Sequence, residues 1–335
     1  MELNEKQPKV SVIVPIYNVE QYIEKCVRSL MEQTLEDIEF IFVNDCTPDD
    51  SMTVLRRILK EYPARVPQVK IVELKENNGS AAARITGVNT ARGEYIIHCD
   101  SDDWVEHTIY ECMYALAKEQ DADMVWCDYY CEDVDNSEVI SLRFSCDSIA
   151  YVKGIMTMKI PGFLWNKLYR RELCKRFRNE WTKGADMWED VSVTIPMTHY
   201  AKNIAYIEAP LYHYRKANVH SIMRNNSQEK KVKRVWDIMR NVENVTSFVE
   251  RENLIGVYTP ELYELQLSVK YGLLSADVVA LKEWRNIFPK SVKYIRKAYQ
   301  FTSYQKLFLY AALYNWQWVL SMKKMVMALM RELRG

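Results

Sequence analysis

The chain has 335 residues, of which 48% are hydrophobic, so it exceeds one ordinary domain and can bury a substantial core. Its 45 basic side chains equal its 45 acidic ones, which excludes the global basic field of a protein whose main partner is nucleic acid. Eight cysteines without a CxxC pair argue against a zinc site and a disulfide framework. Together with an N-terminus that lacks an apolar run, they favour a cytoplasmic protein with reduced thiols.

Buried strands and amphipathic helices alternate through the N-terminal part of the chain. Apolar runs such as 10–15 (Val-Ser-Val-Ile-Val-Pro) are typical of strands that are buried on both faces of a parallel sheet. Between the runs, apolar residues recur every three or four positions, as in helices that pack one face on a sheet. This alternation predicts right-handed βαβ crossovers and an α/β fold with a mostly parallel sheet flanked by helices. Strands are predicted over 10–15, 39–44, 69–74, 94–99 and 124–129, and helices over about 19–31, 54–59, 81–90 and 108–119.

The pattern changes in the second half of the chain. After Cys131 the alternation fades into polar, turn-like sequence to Asp147, and then into a less regular stretch to His220. From Ser227 onward apolar residues repeat at helical spacing, with further helices expected over 261–279 and from Ser303. We therefore predict a sheet domain over 1–224 and a C-terminal helical region over 225–335, with the boundary near 224–227.

Three aspartates follow the fourth predicted strand. Asp100, Asp102 and Asp103 would lie at the carboxyl end of the sheet, where open α/β sheets bind their ligands. Carboxylates gathered in this way repel one another unless a hard cation offsets their charge, and oxygen-only ligands suit Mg²⁺ or Mn²⁺. A turn that caps the following helix is the alternative interpretation.

The first three strand ends carry polar side chains as well, and they lack both the GxGxxG fingerprint and a P-loop. We expect this edge to hold a base, a ribose and a diphosphate. Asp45 can accept from the imide N–H of uracil, and Gly79 at a helix start would leave backbone N–H groups open toward phosphate. Taken singly, Asp45 could form an Asx turn, Asn78-Gly79 a plain turn, and Arg84 a solvated helix position.

Four of these segments together resemble family 2 of the nucleotide-sugar glycosyltransferases, which have the GT-A fold. They are 12–18 (VIVPIYN), 43–45 (VND), 78–84 (NGSAAAR) and 100–103 (DSDD), so the resemblance covers about residues 10–103. It implies a donor half over about 8–130 and an acceptor half over 131–224. Asp45 would contact the nucleobase, and Asp100 with Asp102 would hold the ribose and a diphosphate-bound Mg²⁺ or Mn²⁺. The donor contacts implied are Pro15, Tyr17, Asn18, Asp45, Asn78, Gly79, Arg84, Asp100, Ser101 and Arg215.

One position departs from the family pattern. Cys46 follows Asp45 where the family usually has glycine. We therefore expect a local difference in this turn, which makes the nucleobase preference harder to predict than the metal site.

The resemblance implies transfer of a sugar to an acceptor hydroxyl with inversion, and this reaction requires a base. Residues 188–190 (Trp-Glu-Asp) resemble the family's Glu-Asp motif, which makes Asp190 the predicted base and Glu189 the alternative. The structural alternative is an acidic first turn stabilised by the helix dipole. In the aromatic segment 212–215, His213 is a candidate ligand of the metal or diphosphate, although a lone histidine there is also typical of a packed core. Arg215 is the better phosphate partner because its guanidinium is permanently charged and presents its N–H donors as a fork.

The segment from Leu307 to Met322 contains no charged residue. It is too short for a confident membrane span, which takes about 20 apolar residues. Its tryptophans and tyrosines next to Lys323 and Lys324 favour a helix in the membrane interface, at the inner face of the plasma membrane. A helix docked on the catalytic domain or on a second copy of the chain is the other interpretation.

These observations predict an enzyme that moves a sugar from a nucleotide donor, with UDP expected, to a glycan or lipid-linked glycan of the cell surface. A sugar-phosphate nucleotidyltransferase is a competing hypothesis, but it should carry a glycine-rich, basic phosphate loop near its first strand, and none is found. A protein that only binds nucleotide sugars would have no use for a base, so residues 189–190 argue against it.

Overall fold

The structure is a computed structural model, and it describes residues 7–216 and 227–321. Within these residues nine strands form a single mixed sheet. Most of the predicted boundary at 224–227 therefore lies outside the described residues. Met322, the last residue of the uncharged segment 307–322, lies outside them as well. The strands are β1 (Val10–Ile16), β2 (Ile38–Asn44), β3 (Val69–Glu73), β4 (Tyr95–His98), β5 (Trp104–Val105), β6 (Met124–Glu132), β7 (Ser137–Ile140), β8 (Lys167–Arg170) and β9 (Ile204–Arg215).

Eleven α-helices surround the sheet in the described residues. In the first half they alternate with the strands, as the apolar spacing predicts, except that the short β5 follows β4 directly. The helices are α1 (Ile23–Met31), α2 (Ser51–Leu59), α3 (Ser80–Thr90), α4 (Ile109–Glu119), α5 (Ser148–Met156), α6 (Arg171–Phe177), α7 (Glu189–Tyr200), α8 (Gln228–Arg251), α9 (Ile255–Ala276), α10 (Leu281–Asn286) and α11 (Ser303–Tyr314).

The strand order across the sheet is β3-β2-β1-β4-β8-β6-β9-β5, with β7 beside β6. The first four strands are parallel, as predicted, so their carboxyl ends meet at one edge. The prediction of a mostly parallel sheet is less accurate beyond β4, because β8 is antiparallel to both β4 and β6. β8 and β9 come from the stretch whose periodicity indicated no regular structure, and β9 pairs in parallel with β6 through a bulge near Asp128.

Two hydrophobic layers cover the sheet. Alternate residues of β1 point to opposite faces, so Val12 and Val14 pack with α1, α2 and α4, while Ile13 packs with α3 on the other face. Gly87 allows this second contact, because a Cβ at that position would lie 2.3 Å from Cγ2 of Ile13. The close approach fixes α3, and with it Arg84, against the carboxyl edge of the sheet.

The C-terminal helices belong to the same core as the sheet. Trp126 of β6, Val245 of α8 and Leu265 of α9 lie in one continuous hydrophobic cluster. The uncharged segment is not one helix, because α11 ends at Tyr314 and Asn315 adopts a left-handed conformation with φ of 60°. Among the described residues, no helix has the length and apolar character needed to cross a membrane.

Candidate active site

β4 leads into the three aspartates at the carboxyl edge of the sheet. Asp103 is buried, and it accepts a hydrogen bond from the Tyr212 hydroxyl at 2.8 Å and from the Arg215 backbone N–H at 2.7 Å. Burial, followed by the charges of Asp102 and Asp100, raises the pKa of Asp103 well above its usual range. Asp103 therefore ties β9 to this edge as a structural acid, and the half-buried Asp100 and Asp102 are the candidate ligands.

Arg84 lies between this edge and the acids of the second half. Its Nη2 donates to Oδ1 of Asp100 at 2.8 Å, and Glu189 and Asp190 are near enough for their charges to act on the guanidinium. The side chain is only 8% exposed, and Nε and Nη1 have no hydrogen-bond partner among the described residues. The guanidinium is held instead by its ion pair with Asp100 and by the nearby charges of Glu189 and Asp190.

Glu189 and Asp190 form the first turn of α7, as the structural alternative predicted, but they also converge on Arg84. Trp188 precedes them in a left-handed conformation with φ of 61°, which is unusual for a bulky residue and is found at functional sites. Ser80 Oγ donates to Oε1 of Glu189 at 3.1 Å, so α3 contacts both the motif and the strand-end acids. The fold thus brings the two predicted motifs together.

Withdrawal from water raises the pKa of both acids. The pKa of Glu189 rises to about 8, with the charge of Asp190 as the next cause, and Arg84 opposes the rise. The pKa of Asp190 rises to about 6, held down by Arg84, by the Val191 N–H and by the buried ammonium of Lys167. Because two buried carboxylates so close together resist ionising at the same time, the pair holds a proton more readily than exposed acids do, as a base requires.

The loop that leads into this motif is held by α8. Asn241 is buried, and its Nδ2 donates to the carbonyls of Met187 at 2.8 Å and Ala185 at 3.2 Å. One turn earlier, Asp237 accepts from the Asp186 N–H at 3.3 Å. α8 therefore positions residues 185–187, which we call the catalytic loop because they lead into the predicted Glu-Asp motif.

The carboxylate of Asp45 closes the turn after β3. Its two oxygens accept from the backbone N–H groups of Asn78 and Gly79, each at 2.8 Å. The N–H groups of Asn78 and Gly79 are therefore engaged within the chain, and phosphate binding at the start of α3 stays a prediction. Burial raises the pKa of Asp45, and the charge of Asp186 adds to the rise. Asp186 itself packs on Gly79, since a Cβ there would lie 2.5 Å from its Oδ1.

The other predicted donor contacts line the same edge. Tyr17 is exposed after β1, and the N–H of Asn18 donates to Oγ1 of Thr47 at 2.8 Å. Pro15 is half-buried at the end of β1, and Ser101 is buried. Cys46 has φ of 54°, a left-handed conformation that favours glycine, so the departure from the family pattern falls on a strained position.

His213 does not face the aspartates as a free ligand. Its ring is stacked between Trp104 and Tyr130, and its Nδ1 and Nε2 contact carboxylate oxygens of Glu132 at 2.7 Å and Glu106 at 2.9 Å. Both ring nitrogens of His213 are therefore engaged within the chain, and ligation of the metal by His213 stays a prediction.

Arg215 lies next to the acidic segment, as predicted. Its Nε donates to the Asp102 carbonyl at 2.9 Å, and its guanidinium lies over the rings of Trp104 and Tyr22. These contacts hold a permanent positive charge beside the candidate metal ligands, where a diphosphate would add negative charge.

Lys167 and its neighbours lie beneath the site. Lys167 is fully buried, and its Nζ donates to the carbonyl of Phe163 at 2.8 Å and to Oδ1 of Asn166 at 2.9 Å. Burial lowers the pKa of Lys167 to about 7, and the charge of Asp190 opposes the shift. Lys167 is therefore a buried cation whose charge acts on Asp190.

The oxygen donors fit a divalent cation of the Mg²⁺ or Mn²⁺ type. Asp100 and Asp102 offer the one or two carboxylates that Mg²⁺ usually takes from a protein, with phosphate oxygens and water completing the shell. Across residues 7–216 and 227–321, no group of three or more His, Cys, Asp or Glu side chains could hold an ion alone. The site thus fits an ion that arrives with a diphosphate, and not an all-protein cage.

A groove of about 880 Å³ borders the catalytic loop. Met187 forms one wall, while Val235, Leu273 and Phe308 from α8, α9 and α11 form others. Lys231 and Arg234 add positive charge to its lining. The groove is therefore mostly apolar, with basic residues at its border.

Several residues of the site were missed from the sequence. Asp237 and Asn241 are one helical turn apart among the apolar residues of α8, and polar side chains within such a stripe were the available signal. Ser80 lies inside a recognised segment, but its contact with Glu189 depends on the fold. Nothing in the local sequence indicates that the Tyr212 hydroxyl bridges Asp103 and the Asp100 N–H.

Comparison with known proteins supports the same interpretation. The sequence model described as Glycosyl transferase family 2 matches residues 11–183, which end shortly before Glu189 and Asp190. EpsH of Bacillus subtilis (strain 168), named as a glycosyltransferase, is 32% identical over 285 residues. The match covers 83% of this chain and 78% of EpsH.

Two solved structures show the fold. S. aureus TarS 1–349 in complex with UDP-GlcNAc matches with a TM-score of 0.57 and 19% identity, over 87% of this chain and 89% of that one. The mannosyltransferase PcManGT from Pyrobaculum calidifontis, in complex with GDP-Man and Mn²⁺, matches with a TM-score of 0.53 and 18% identity. That match covers 94% of this chain and 88% of the other. These neighbours confirm the predicted GT-A-type fold.

Proposed function

The chain belongs to glycosyl transferase family 2, and we propose that it is an inverting, metal-dependent enzyme that transfers a sugar from a UDP-linked donor to an acceptor hydroxyl. The convergence of Asp100, Arg84, Glu189 and Asp190 at one edge of the sheet is the observation that carries the proposal. It combines groups that suit a diphosphate with a carboxylate poised as a base.

Asp190 takes the proton of the acceptor hydroxyl as that oxygen attacks the anomeric carbon. Attack from the face opposite the diphosphate inverts the configuration. Arg84 and Lys167 hold the pKa of Asp190 low enough for it to be ionised at neutral pH. Glu189, protonated and hydrogen-bonded to Ser80, keeps a second negative charge away from the base.

The leaving diphosphate lies at the strand end. Arg84, ion-paired with Asp100, supplies one positive charge near it, and Arg215 supplies a second beside Asp102. Asp100 and Asp102 would hold Mg²⁺ or Mn²⁺, which offsets the charge that develops on the leaving group. The Mn²⁺ in the PcManGT complex supports this assignment.

The nucleobase is placed near Asp45 and Tyr17. The UDP-GlcNAc in the TarS complex favours a uridine donor, whereas the GDP-Man in the PcManGT complex makes guanosine the alternative. The acceptor reaches Asp190 from the side of Met187, where the apolar groove with Lys231 and Arg234 suits a glycan carried on a lipid phosphate. A cell-surface glycan is the expected product.

The base assignment is tested with purified protein, Mn²⁺ and a panel of UDP- and GDP-sugars, by following release of the nucleoside diphosphate. Asp190→Asn should lower kcat by about 10²- to 10⁴-fold without raising KM for the donor, because only proton removal is lost. EDTA should abolish turnover, and added Mn²⁺ should restore it. Inversion is read from the anomeric configuration of the product by NMR.

The matched control is Glu111→Gln, which changes an acid in the first turn of α4 and lies outside the proposed site. It should leave kcat unchanged. Full turnover by folded Asp190→Asn protein would remove Asp190 as the base. Turnover that EDTA leaves intact would remove the metal from the proposal.

A further inference from the structure

Charge is distributed very unevenly along this neutral chain. No aspartate or glutamate occurs between Glu283 and Glu332. The described part of this stretch ends at Ser321, and its charged side chains, all of them positive, lie between Arg285 and Lys306. Its cations are Arg285, Lys290, Lys293, Arg296, Lys297 and Lys306.

α11 has large apolar side chains on its buried face and on an adjacent exposed face. Phe308 and Leu309 pack inward and are buried, as expected for a helix on a core. Tyr304, Leu307 and Tyr314 follow at spacings of three and seven on the outward side, and they are 51%, 43% and 60% exposed. Exposed aromatic and apolar side chains in such a row are a candidate contact surface.

The exposed aromatic side chains continue beyond α11. Trp316 and Trp318 are 41% and 68% exposed, and the ring of Trp316 lies 5.6 Å from that of Tyr314. Tyr299, just before the helix, is 90% exposed. Tryptophan and tyrosine at this density are typical of surfaces in the headgroup region of a bilayer.

The basic turn lies beside the start of α11. Lys306 Nζ donates to the Arg296 carbonyl at 3.1 Å, which holds residues 290–297 against the first turn of the helix. The side chains of Lys290, Lys293, Arg296 and Lys297 are all exposed. The basic turn therefore adjoins the first turn of α11, which carries the exposed Tyr304.

The charge distinguishes between two candidate occupants of this surface. A second copy of the chain, related by two-fold symmetry, would bring like positive charges together at the interface. Anionic lipid headgroups would instead pair with the lysines, while the rings enter the interface. The charge pattern therefore favours a membrane.

We propose that this basic aromatic face, formed by residues 290–297, α11 and residues 316–318, binds the surface of an anionic phospholipid bilayer. The face lies on the C-terminal helices, and the inference does not depend on the proposed reaction. It assigns the helical region a second role beside holding the catalytic loop.

The full chain is tested by co-sedimentation with vesicles of phosphatidylcholine alone, or of phosphatidylcholine and phosphatidylglycerol in equal parts. Binding should require phosphatidylglycerol and weaken with salt. The triple variant Lys290→Gln, Lys293→Gln, Lys297→Gln should bind about a hundredfold more weakly, because each cation near an anionic surface contributes to partition. Tyr314→Ala with Trp318→Ala should lower binding about tenfold or more, with the salt dependence retained.

The matched control removes three exposed lysines elsewhere, with Lys60→Gln, Lys118→Gln and Lys202→Gln. Its binding should equal that of the parent chain. Equal loss of binding in both triple variants would overturn the assignment. So would failure of the parent chain to bind vesicles of both compositions. A dimer in sedimentation velocity that Tyr314→Ala with Trp318→Ala dissociates would assign the face to a second copy instead. Release of nucleoside diphosphate by every variant in solution keeps this test separate from that of the reaction.

Discussion

Arg84 is the residue that connects the two halves of the site. It bonds Asp100 through Nη2, lies near Glu189 and Asp190, and keeps two further donors without partners among the described residues. One buried cation can therefore act on the donor and on the base together. The strained backbones of Cys46 and Trp188 flank the same site, consistent with local geometry set by function at a cost in stability.

Replacing Arg84 should change the pH dependence of the reaction. Asp190 acts as a base only when it is ionised, so kcat should fall as the pH drops through its pKa of about 6. Arg84 lowers that pKa, and Arg84→Met should therefore move the acidic limb of the kcat profile upward by about 1 to 3 pH units. Arg84→Lys keeps the positive charge and should move it less.

The profiles are measured at saturating donor, because both variants should also weaken donor binding. An acidic limb that stays in place in Arg84→Met would show that Arg84 does not set the ionisation of the base.

At the scale of elements, α3 and α7 place the reactive side chains. α3 carries Ser80 and Arg84 toward the site, and its position depends on the close contact of Gly87 with β1. α7 begins at Glu189, so its first turn presents both acids. A small shift of α3 on the sheet would therefore move Arg84, which lies one helical turn from Gly87.

Gly87→Ala tests that seating. In most helix positions alanine is more stable than glycine by up to about 1 kcal/mol, but here the new Cβ would lie 2.3 Å from Ile13 Cγ2. We expect Gly87→Ala to lower the free energy of unfolding by about 1 to 3 kcal/mol and to lower kcat as Arg84 moves. Urea denaturation measures the first effect and product formation the second.

Gly256→Ala in α9 is the control, because nothing lies within 4 Å of a Cβ there. It should be neutral or slightly stabilising. A Gly87→Ala protein as stable as this control would mean that α3 can shift freely on the sheet.

At the scale of the whole molecule, the helical region and the sheet act as one unit. They share a hydrophobic cluster, and α8 holds the loop before the base through Asn241. The division into 1–224 and 225–335 therefore reflects a change in the sequence pattern, while the two parts share one hydrophobic cluster. The same helices carry the basic aromatic face, so membrane binding and catalysis would be supported by one set of elements.

Asn241→Leu should weaken both the fold and the reaction. It removes the donor for the Ala185 and Met187 carbonyls, and unsatisfied buried acceptors cost about 1 to 3 kcal/mol. We expect a lower melting temperature and a fall in kcat of about tenfold or more, with KM for the donor little changed.

Thr246→Val is the matched change on α8, since Thr246 bonds within α8 and to Gln266 of α9 but not to the loop. It should retain kcat. An Asn241→Leu protein with normal kcat would mean that the loop is positioned without α8.

The sequence alone determined the alternation of the first half, the carboxyl edge of the sheet, and the motifs at Asp45, Asp100–Asp102 and Glu189–Asp190. Period-two and period-3.6 patterns are local properties, and residues 12–103 carry the resemblance within contiguous segments. The left-handed backbone conformation of Cys46 could also be expected, because cysteine stands at a position where the family usually has glycine.

Only the tertiary structure decided the contacts between distant segments. No clear periodicity predicted β8 or β9. These strands bring the Tyr212 hydroxyl to Asp103 and place the His213 ring between two carboxylates and two aromatic rings. Two further contacts join residues more than 30 positions apart. Asp45 accepts hydrogen bonds from the Asn78 and Gly79 N–H groups. Arg84 lies near Glu189 and Asp190. Such pairings depend on chain topology and side-chain packing, which local sequence patterns do not encode.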